Sequence, residues 1–225
     1  MTKPSTLLLL IATSVLFLGQ DIFAEDKDGW ISLFNGRDLS GWKANILPES
    51  FSVKNGAIKT HCKDPEQRKA HLFYVGQNGK DFVLFKDFEY EALVRSEPVS
   101  NSGVFFHTDE AIRDKKYHLG SGYEVQINNG DRPKSKTGSL FAIADFEDAL
   151  IDDTQWFKLT IKVEGKRIQV FLNDQPTVDY TEPENPDRPE KRKDRLLRTE
   201  GGAIALQGHD PYSTVYFKNI RIRRL

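Results

Sequence analysis

The sequence predicts an all-β protein, an antiparallel β-sandwich of the jelly-roll kind. Apolar and polar residues alternate with a period of two along many short segments, as they do in strands that bury one face. Glycine, asparagine, aspartate and proline separate these segments at short intervals, which is typical of β-turns. After residue 24, no window of about twelve residues carries the apolar stripe of an amphipathic helix. Many short strands with regular turns favour a sandwich or barrel.

The first 24 residues have the pattern of a secretory signal peptide. Lys3 provides a positive start, Leu7 to Leu18 is almost wholly apolar, and Ala24 precedes a charged run. The apolar run is shorter than the roughly 20 residues that a membrane-spanning helix needs. We therefore expect cleavage after Ala24, and an exported protein, periplasmic or extracellular, with a single domain at 25–225.

Composition indicates which partners are not expected and where the stability of the fold comes from. Among the 225 residues, 32 Lys and Arg balance 33 Asp and Glu, for a net charge of −1. This balance argues against nucleic acid as a partner and against a membrane surface once the signal peptide is removed. Cys62 is the only cysteine, so no internal disulfide can form. Stability must come from a packed core, and the sequence does not indicate an oligomeric state.

The strands can be assigned in order along the chain. SFSVKNGAIKT alternates around Asn55 and Gly56, a pair typical of a tight β-hairpin turn. DFEYEALVRS places its apolar residues on one face and Glu89 and Glu91 on the other. Shorter strands are predicted at NSGVFFH, GYEVQIN and GSLFAI. WFKLTIKVEGKRIQVFLND predicts two strands joined at a glycine turn, and GAIALQ and TVYFKNIRIRRL complete the set.

Two stretches interrupt the strand pattern. Residues 182–200, EPENPDRPEKRKDRLLRTE, are rich in proline and charge. Because acidic residues are interleaved with the basic ones, a long solvated loop is favoured over a basic recognition arm. Residues 61–71, HCKDPEQRKAH, hold two histidines and the cysteine at spacings that match no zinc-binding pattern. We predict a flexible loop there as well.

Alternation selects candidate site residues on three of the predicted strands. In GYEVQIN, Glu124 and Gln126 lie on the face opposite the core residues. In GVFFH, His107 is expected to face outward, and in AIALQGH, Gln207 and His209 are expected on the outer side. A carboxylate, two amides and two imidazoles on one concave face would suit a polyhydroxylated ligand such as a sugar. The alternative is that they are ordinary solvent-facing positions of an antiparallel sheet.

Motifs of other enzyme classes are absent from the sequence. There is no G-x-S-x-G, no H-E-x-x-H and no phosphate-binding glycine loop, which argues against serine hydrolases, zinc proteases and nucleotide enzymes. Glu89 and Glu91 could serve as the paired carboxylates of an ordinary glycosidase. Their place on a regular amphipathic strand favours structural charges instead.

Several stretches together resemble a known family, the 3-keto-disaccharide hydrolases, once known only as a domain of unknown function. They are GWISLFNGRDLSGWK, NSGVFFH, GYEVQIN, KTGSLFAI, QWFKLTIKVEGKRIQVFLND and GGAIALQGHDPYSTVYFKNIRIRRL. They run in order from Gly29 to Leu225. The resemblance implies a concanavalin A-like, laminin G-like sandwich that acts on glycosides already oxidised to a ketone at C3. A base would remove the acidified C2 proton, the C1 substituent would leave by β-elimination, and water would add back, for net hydrolysis.

The resemblance also implies roles for particular residues. The polar positions that match the family's pattern are Glu124, Gln126, Gln207, His209 and Asp210. Glu124 or His209 would be the base, and the other would be the acid or a metal ligand. Gln126, Gln207 and Asp210 would contact the substrate.

Three points stay open from the sequence. His107 stands where family members often carry arginine, and could contact the substrate in its place. No cofactor is required by the pattern, although a divalent metal ion held by His209 and a carboxylate could stabilise an enolate. The protein could also be a carbohydrate-binding module of the same fold without catalysis, or an adhesive surface domain, because sandwich folds host all of these.

Overall fold

The computed structural model describes residues 25–130, 134–148 and 150–225, and the predicted signal peptide lies outside this part of the chain. The described residues form two antiparallel sheets, which confirms the predicted β-sandwich. The strands are β1 Trp30–Ser32, β2 Trp42–Ala44, β3 Phe51–Lys54, β4 Ala57–Thr60, β5 Ala70–Tyr74, β6 Phe88–Ser96, β7 Asn101–Thr108, β8 Tyr123–Asn128, β9 Phe157–Glu164, β10 Arg167–Leu172, β11 Gln175–Thr181, β12 Ala203–Gly208 and β13 Val215–Arg224. Two 3-10 turns lie at Pro48–Ser50 and Glu190–Arg192. Among the described residues, no helix has the length and apolar character to span a bilayer.

The two sheets divide the strands unequally. The larger sheet has the order β11-β10-β9-β6-β13-β4-β3, and β1 pairs with the C-terminal part of β13. The smaller has the order β2-β5-β12-β7-β8. All three strands that carry the candidate site residues, β7, β8 and β12, therefore lie side by side in the smaller sheet.

The turns that the sequence predicts connect the expected strands. Asn55 and Gly56 join β3 to β4 with φ angles of 52° and 73°. Two successive left-handed residues are what a two-residue hairpin of type I′ requires. A second predicted turn, at 164–166, joins β9 to β10 through Gly165, whose φ is 58°.

The core fills the space between the sheets, as the alternation predicts. In β6 every second residue from Phe88 to Val94 is buried, and in β8 Tyr123, Val125 and Ile127 are fully buried. Phe88 packs against Phe106 from the opposite sheet with ring centroids 6.0 Å apart. Full burial of each such aromatic or aliphatic side chain contributes roughly 1.5–3 kcal/mol.

The strand β5 was not predicted, and its composition explains why. All five of its residues, AHLFY, are buried, so that neither face shows the polar alternation of a half-exposed strand. One face packs in the main core. The other lies beneath the candidate site described below, where Phe73 and Phe105 belong to a second, smaller apolar cluster.

Glu89 and Glu91 are structural charges, as their strand pattern indicates. The Nε atom of Arg223 donates to Glu89 at 3.0 Å, and that of Arg221 donates to Glu91 at 2.8 Å. Both arginines lie over the ring of Trp30, 4.2–4.9 Å from its centroid. These two carboxylates are thereby engaged on the outer face of the larger sheet.

Candidate functional site

A cavity of about 400 Å³ lies on the outer face of the smaller sheet. Its floor includes Glu124 and Gln126 of β8 and Gln207 of β12, with Phe105 and Asn101 of β7 beside them. Alternation along separate strands thus brings together the first three residues, as the sequence predicts. Asn101 also lines the cavity, although it is not among the candidate residues that the sequence selects.

This face is covered rather than open to solvent. Glu124, Gln126 and Gln207 are only 5%, 4% and 2% exposed. Segments outside the sheet close over them and contribute Gln67, Lys69, Arg113, His118, Phe141, Arg192, Arg195 and Tyr212 to the cavity wall. Strand periodicity tells which face a residue occupies, but it cannot tell whether a loop covers that face.

The loop at 182–200 has mostly exposed residues, as predicted for a solvated loop, but it does more than the prediction states. It forms a strap across the site and inserts Arg195, which is 3% exposed. Glu182 fixes one part of the strap, because its carboxylate accepts hydrogen bonds from the Tyr123 hydroxyl and from the backbone N–H of Leu197. The one signal in the sequence is Leu196-Leu197, an apolar pair within the charged run that would be out of place in a fully solvated loop.

Glu124 and Arg195 form a buried ion pair. The Nη2 atom of Arg195 lies 3.3 Å from Oε2 of Glu124. Burial raises the pKa of Glu124, and the positive charges of Arg195, Arg113 and Arg192 only partly offset the rise. A carboxylate with a raised pKa is a stronger base than an ordinary glutamate once it is ionised.

Arg195 has donor capacity beyond this pair. Its Nε and Nη1 atoms are buried and make no hydrogen bond to any described residue. The guanidinium group is sandwiched between aromatic rings, 5.5 Å from the centroid of Phe141 and 6.0 Å from that of Phe105. Unpaired buried donors are costly, and here they belong to a residue that lines the cavity. They are therefore suited to binding an oxygen atom of a ligand.

A glycine in β7 makes room for the Glu124 side chain. A Cβ atom built on Gly103 would lie 2.6 Å from Oε1 and 2.8 Å from Cγ of Glu124. Ordinary carbon contacts begin at roughly 3.5 Å. The position of the Glu124 carboxylate thus depends on the absence of a side chain at residue 103.

His209 and Asp210 form a second polar pair on the cavity wall, just beyond the end of β12. The Nδ1 atom of His209 lies 2.6 Å from Oδ2 of Asp210. Burial alone would raise the pKa of Asp210, but its side-chain hydrogen bonds with His209 and Ser213 outweigh that effect and hold the pKa below its usual value. A carboxylate on Nδ1 fixes the tautomer and the orientation of the imidazole ring.

Several amides on the cavity floor are available for hydroxyl groups. The side-chain NH₂ of Gln126 donates to Oδ1 of Asn101 at 2.9 Å. The side-chain oxygen of Gln207 is buried and accepts no hydrogen bond from a described residue. Opposite Gln207 on β5 is His71, whose pKa burial lowers to about 3. His71 is therefore neutral, and its position was missed because the sequence assigns it to a loop.

The expectation that His107 faces the same side is corrected by the structure. His107 has a φ of 52°, so its backbone leaves the extended conformation and the alternation ends there. Its ring is buried against Phe88, its Nε2 lies 2.8 Å from the carbonyl oxygen of Lys86, and its Nδ1 accepts from the N–H of Arg198 at 2.9 Å. His107 thus anchors the far end of the strap and does not line the cavity.

The polar groups do not fit a divalent metal ion. Among the described residues, no three histidine, cysteine, aspartate or glutamate side chains group together in a way that could hold one. Glu124 is engaged by Arg195 and Asp210 by His209. The positive charges of the cavity lining, among them that of Lys69, would repel a metal cation.

Comparisons with known proteins agree with this architecture. The chain is 23% identical over 179 residues to a 3-keto-disaccharide hydrolase of Bacteroides thetaiotaomicron, covering 69% of this chain and 59% of that relative's length. The fold is similar to a proposed glycosyl hydrolase from Parabacteroides distasonis, with a TM-score of 0.71, 21% identity, and coverage of 88% of this chain and 94% of the other. It is also similar to a carbohydrate-binding module from Bacillus subtilis, with a TM-score of 0.53, 16% identity, and coverage of 82% and 96%. The family model for 3-keto-alpha-glucoside-1,2-lyase-like domains matches residues 29–223, and the chain belongs to that family.

Proposed function

We propose that this protein cleaves 3-keto-glycosides, including 3-keto-disaccharides, by proton abstraction at C2, β-elimination and hydration. Family membership supports a glycoside-processing enzyme of this kind. The observation that carries the mechanism is the Glu124–Arg195 pair, in which a carboxylate of raised pKa lies beside a guanidinium with two unpartnered nitrogen atoms. The first can accept a proton at the moment the second stabilises the negative charge that its removal creates.

In the first half-reaction, Glu124 takes the C2 proton and Arg195 donates hydrogen bonds to the C3 oxygen. C2 and C3 are bonded neighbours, so the base and the cation must also be neighbours, as they are here. The electrons of the C2–H bond form the enolate and then the C1–C2 double bond as the bond from C1 to the leaving oxygen breaks. His209, oriented by Asp210, protonates that oxygen. Nothing in this step requires a nucleophilic carboxylate.

In the second half-reaction, water adds to C1 of the unsaturated ketone. His209, which has given up its proton, now takes one from the water, while Glu124 returns a proton to C2. The same two residues therefore serve both steps with their roles exchanged, and the enzyme returns to its starting state. A lyase would release the unsaturated sugar after the first half, and a hydrolase completes the second. Gln126 and Gln207 would hold the remaining hydroxyl groups.

A binding module without catalysis is the second candidate, since the fold is shared with a carbohydrate-binding module. The buried Glu124–Arg195 pair favours the enzyme, because hydroxyl recognition alone does not need a carboxylate whose pKa is raised. A binding-only protein would release no aglycone from an oxidised glycoside.

The test is incubation of purified protein with 4-nitrophenyl 3-keto-glucoside, in both anomeric forms, and with 3-keto-trehalose. We expect release of nitrophenol or of 3-keto-glucose above the rate without protein, and loss of release in Glu124→Gln. A parallel incubation with a chelator should leave the rate unchanged, because no step described here uses a metal ion. Binding of the sugars with no release would favour the binding module.

We also propose that the protein is exported, with residues 1–24 as its signal peptide. The support is the sequence pattern alone. Cell fractionation with N-terminal sequencing tests it, and a mature chain beginning at Glu25 is the expected result. A cytoplasmic protein that retains Met1 would contradict it.

A further inference from the structure

The cavity carries more positive than negative charge. Its basic lining residues are Lys69, Arg113, Arg192 and Arg195, and its acidic ones are Glu124 and Asp210. Since the chain as a whole is close to neutral, this local excess is not a consequence of composition. Cations gathered in one cavity raise the free energy of the folded protein unless an anion offsets them.

Arg192 has no carboxylate of its own. Among the described residues it makes neither an ion pair nor a side-chain hydrogen bond, and its guanidinium lies 5.3 Å from the ring centroid of Phe141. Arg195 lies over the same ring at 5.5 Å. Two guanidinium groups are therefore held close to one aromatic ring, and only the deeper one has an acidic partner.

The arginines of the cavity differ in how deeply they are buried. Arg195 is almost fully buried beside Glu124, whereas the Arg113 side chain is 22% exposed and Arg192 is partly exposed. Arg113 uses its Nε on Asp114 at 3.2 Å, and its two terminal nitrogens make no hydrogen bond to a described residue. In the proposed reaction, Arg195 lies beside the reacting carbons. Arg113 and Arg192 are more exposed and lie toward the mouth of the cavity, where the leaving group of a bound glycoside would extend.

We propose that the natural substrate carries a carboxylate on its leaving group, bound by Arg192 and Arg113. A planar carboxylate can accept paired hydrogen bonds from guanidinium groups, a geometry that neutral hydroxyls do not match. The assignment of this subsite to the leaving group rests on the proposed function, which places the reacting carbons at Glu124. The preference of the cavity for an anion does not depend on that function, because binding can be measured without any reaction.

Binding is tested by calorimetry with two glucosides that are not oxidised and cannot react. One has a 4-carboxyphenyl aglycone and the other the neutral 4-carbamoylphenyl aglycone of nearly equal size. We expect the carboxylate to bind about tenfold more tightly or better, as charge-assisted hydrogen bonds allow. Arg192→Gln should remove most of this preference. Lys191→Gln, which deletes the same charge one residue away from the cavity wall, should keep it.

Turnover of the corresponding 3-keto-glucosides separates the two proposals. The neutral amide has the more acidic phenol and is the better leaving group, so a higher kcat/KM for the carboxylate must come from recognition. Preferential binding without turnover of either compound would refute the proposed reaction and leave the anion subsite standing. Turnover with equal kcat/KM and equal affinities, or an undiminished preference in Arg192→Gln, would overturn the subsite. Absence of measurable carboxylate binding at millimolar concentration would overturn it as well.

Discussion

Replacing Gly103 by alanine tests the placement of the proposed base with a single methyl group. The φ of Gly103 is not in the left-handed region, so alanine fits the backbone, and the nearest obstacle is the Glu124 side chain 2.6–2.8 Å from the new Cβ. Reaching an ordinary contact of roughly 3.5 Å requires the carboxylate to move by about 1 Å. A displacement of this size at a reacting group can cost about 100-fold in rate. Overpacking should also cost about 1–3 kcal/mol of stability.

The assay is kcat/KM for aglycone release from a chromogenic 3-keto-glucoside, with thermal unfolding measured in parallel. Gly208→Ala is the matched control, because its Cβ would meet its nearest neighbours at an ordinary 3.4–3.6 Å on a strand of the same sheet. We expect Gly208→Ala to stay within about threefold of the parent in kcat/KM. Full activity in a folded Gly103→Ala protein would refute the reasoning, because the position of the Glu124 carboxylate would then not matter.

Three further predictions concern the groups around the base. Asp210→Asn should lower kcat/KM by roughly 100- to 10,000-fold, because the carboxylate orients the catalytic histidine and stabilises its charged form. Activity equal to the parent would contradict its role. Because burial raises the pKa of Glu124 and the base must be ionised, kcat/KM should fall on the acid side at a higher pH than an exposed glutamate would give. Arg195→Gln should move this acid-side fall in kcat/KM to a still higher pH. A fall in the ordinary pH range of glutamate in the parent protein would argue against Glu124 as the base. His107→Leu should lower the free energy of unfolding by about 1–3 kcal/mol, because it leaves buried groups unpaired, and it should also lower kcat. His107→Asn keeps a hydrogen-bond acceptor and should recover part of both losses. Equal behaviour of the two variants would show that the hydrogen bond to the strap is unimportant.

How much of the site can be predicted from the sequence depends on how local each signal is. The face occupied by Glu124, Gln126 and Gln207 follows from alternation within single strands, because successive strand residues point to opposite sides whatever the rest of the chain does. The same rule fails at His107, where a left-handed backbone conformation reverses the side chain's direction. No local pattern marks such a residue in advance.

The covering of the site could not be predicted in the same way. Arg195 reaches Glu124 across 71 positions of the chain, and its segment has the composition of a solvated loop. What holds the strap down is non-local, namely the hydrogen bonds of Glu182 with Tyr123 and of His107 with Arg198. Composition reports that such a segment is irregular, but not which surface it packs against. For that reason the carboxylate was predicted and its cationic partner was not.

A kinetic isotope effect at C2 tests the central claim most directly. Aglycone release is compared for a 3-keto-glucoside that carries hydrogen at C2 and for the same compound with deuterium at C2, using the parent protein and Glu124→Gln. We predict slower release from the deuterated compound, because the C2–H bond breaks in the step that Glu124 catalyses, and a fall in release by roughly 100- to 10,000-fold in Glu124→Gln. Equal rates for the two compounds with both proteins, or undiminished release by Glu124→Gln, would contradict proton abstraction by Glu124.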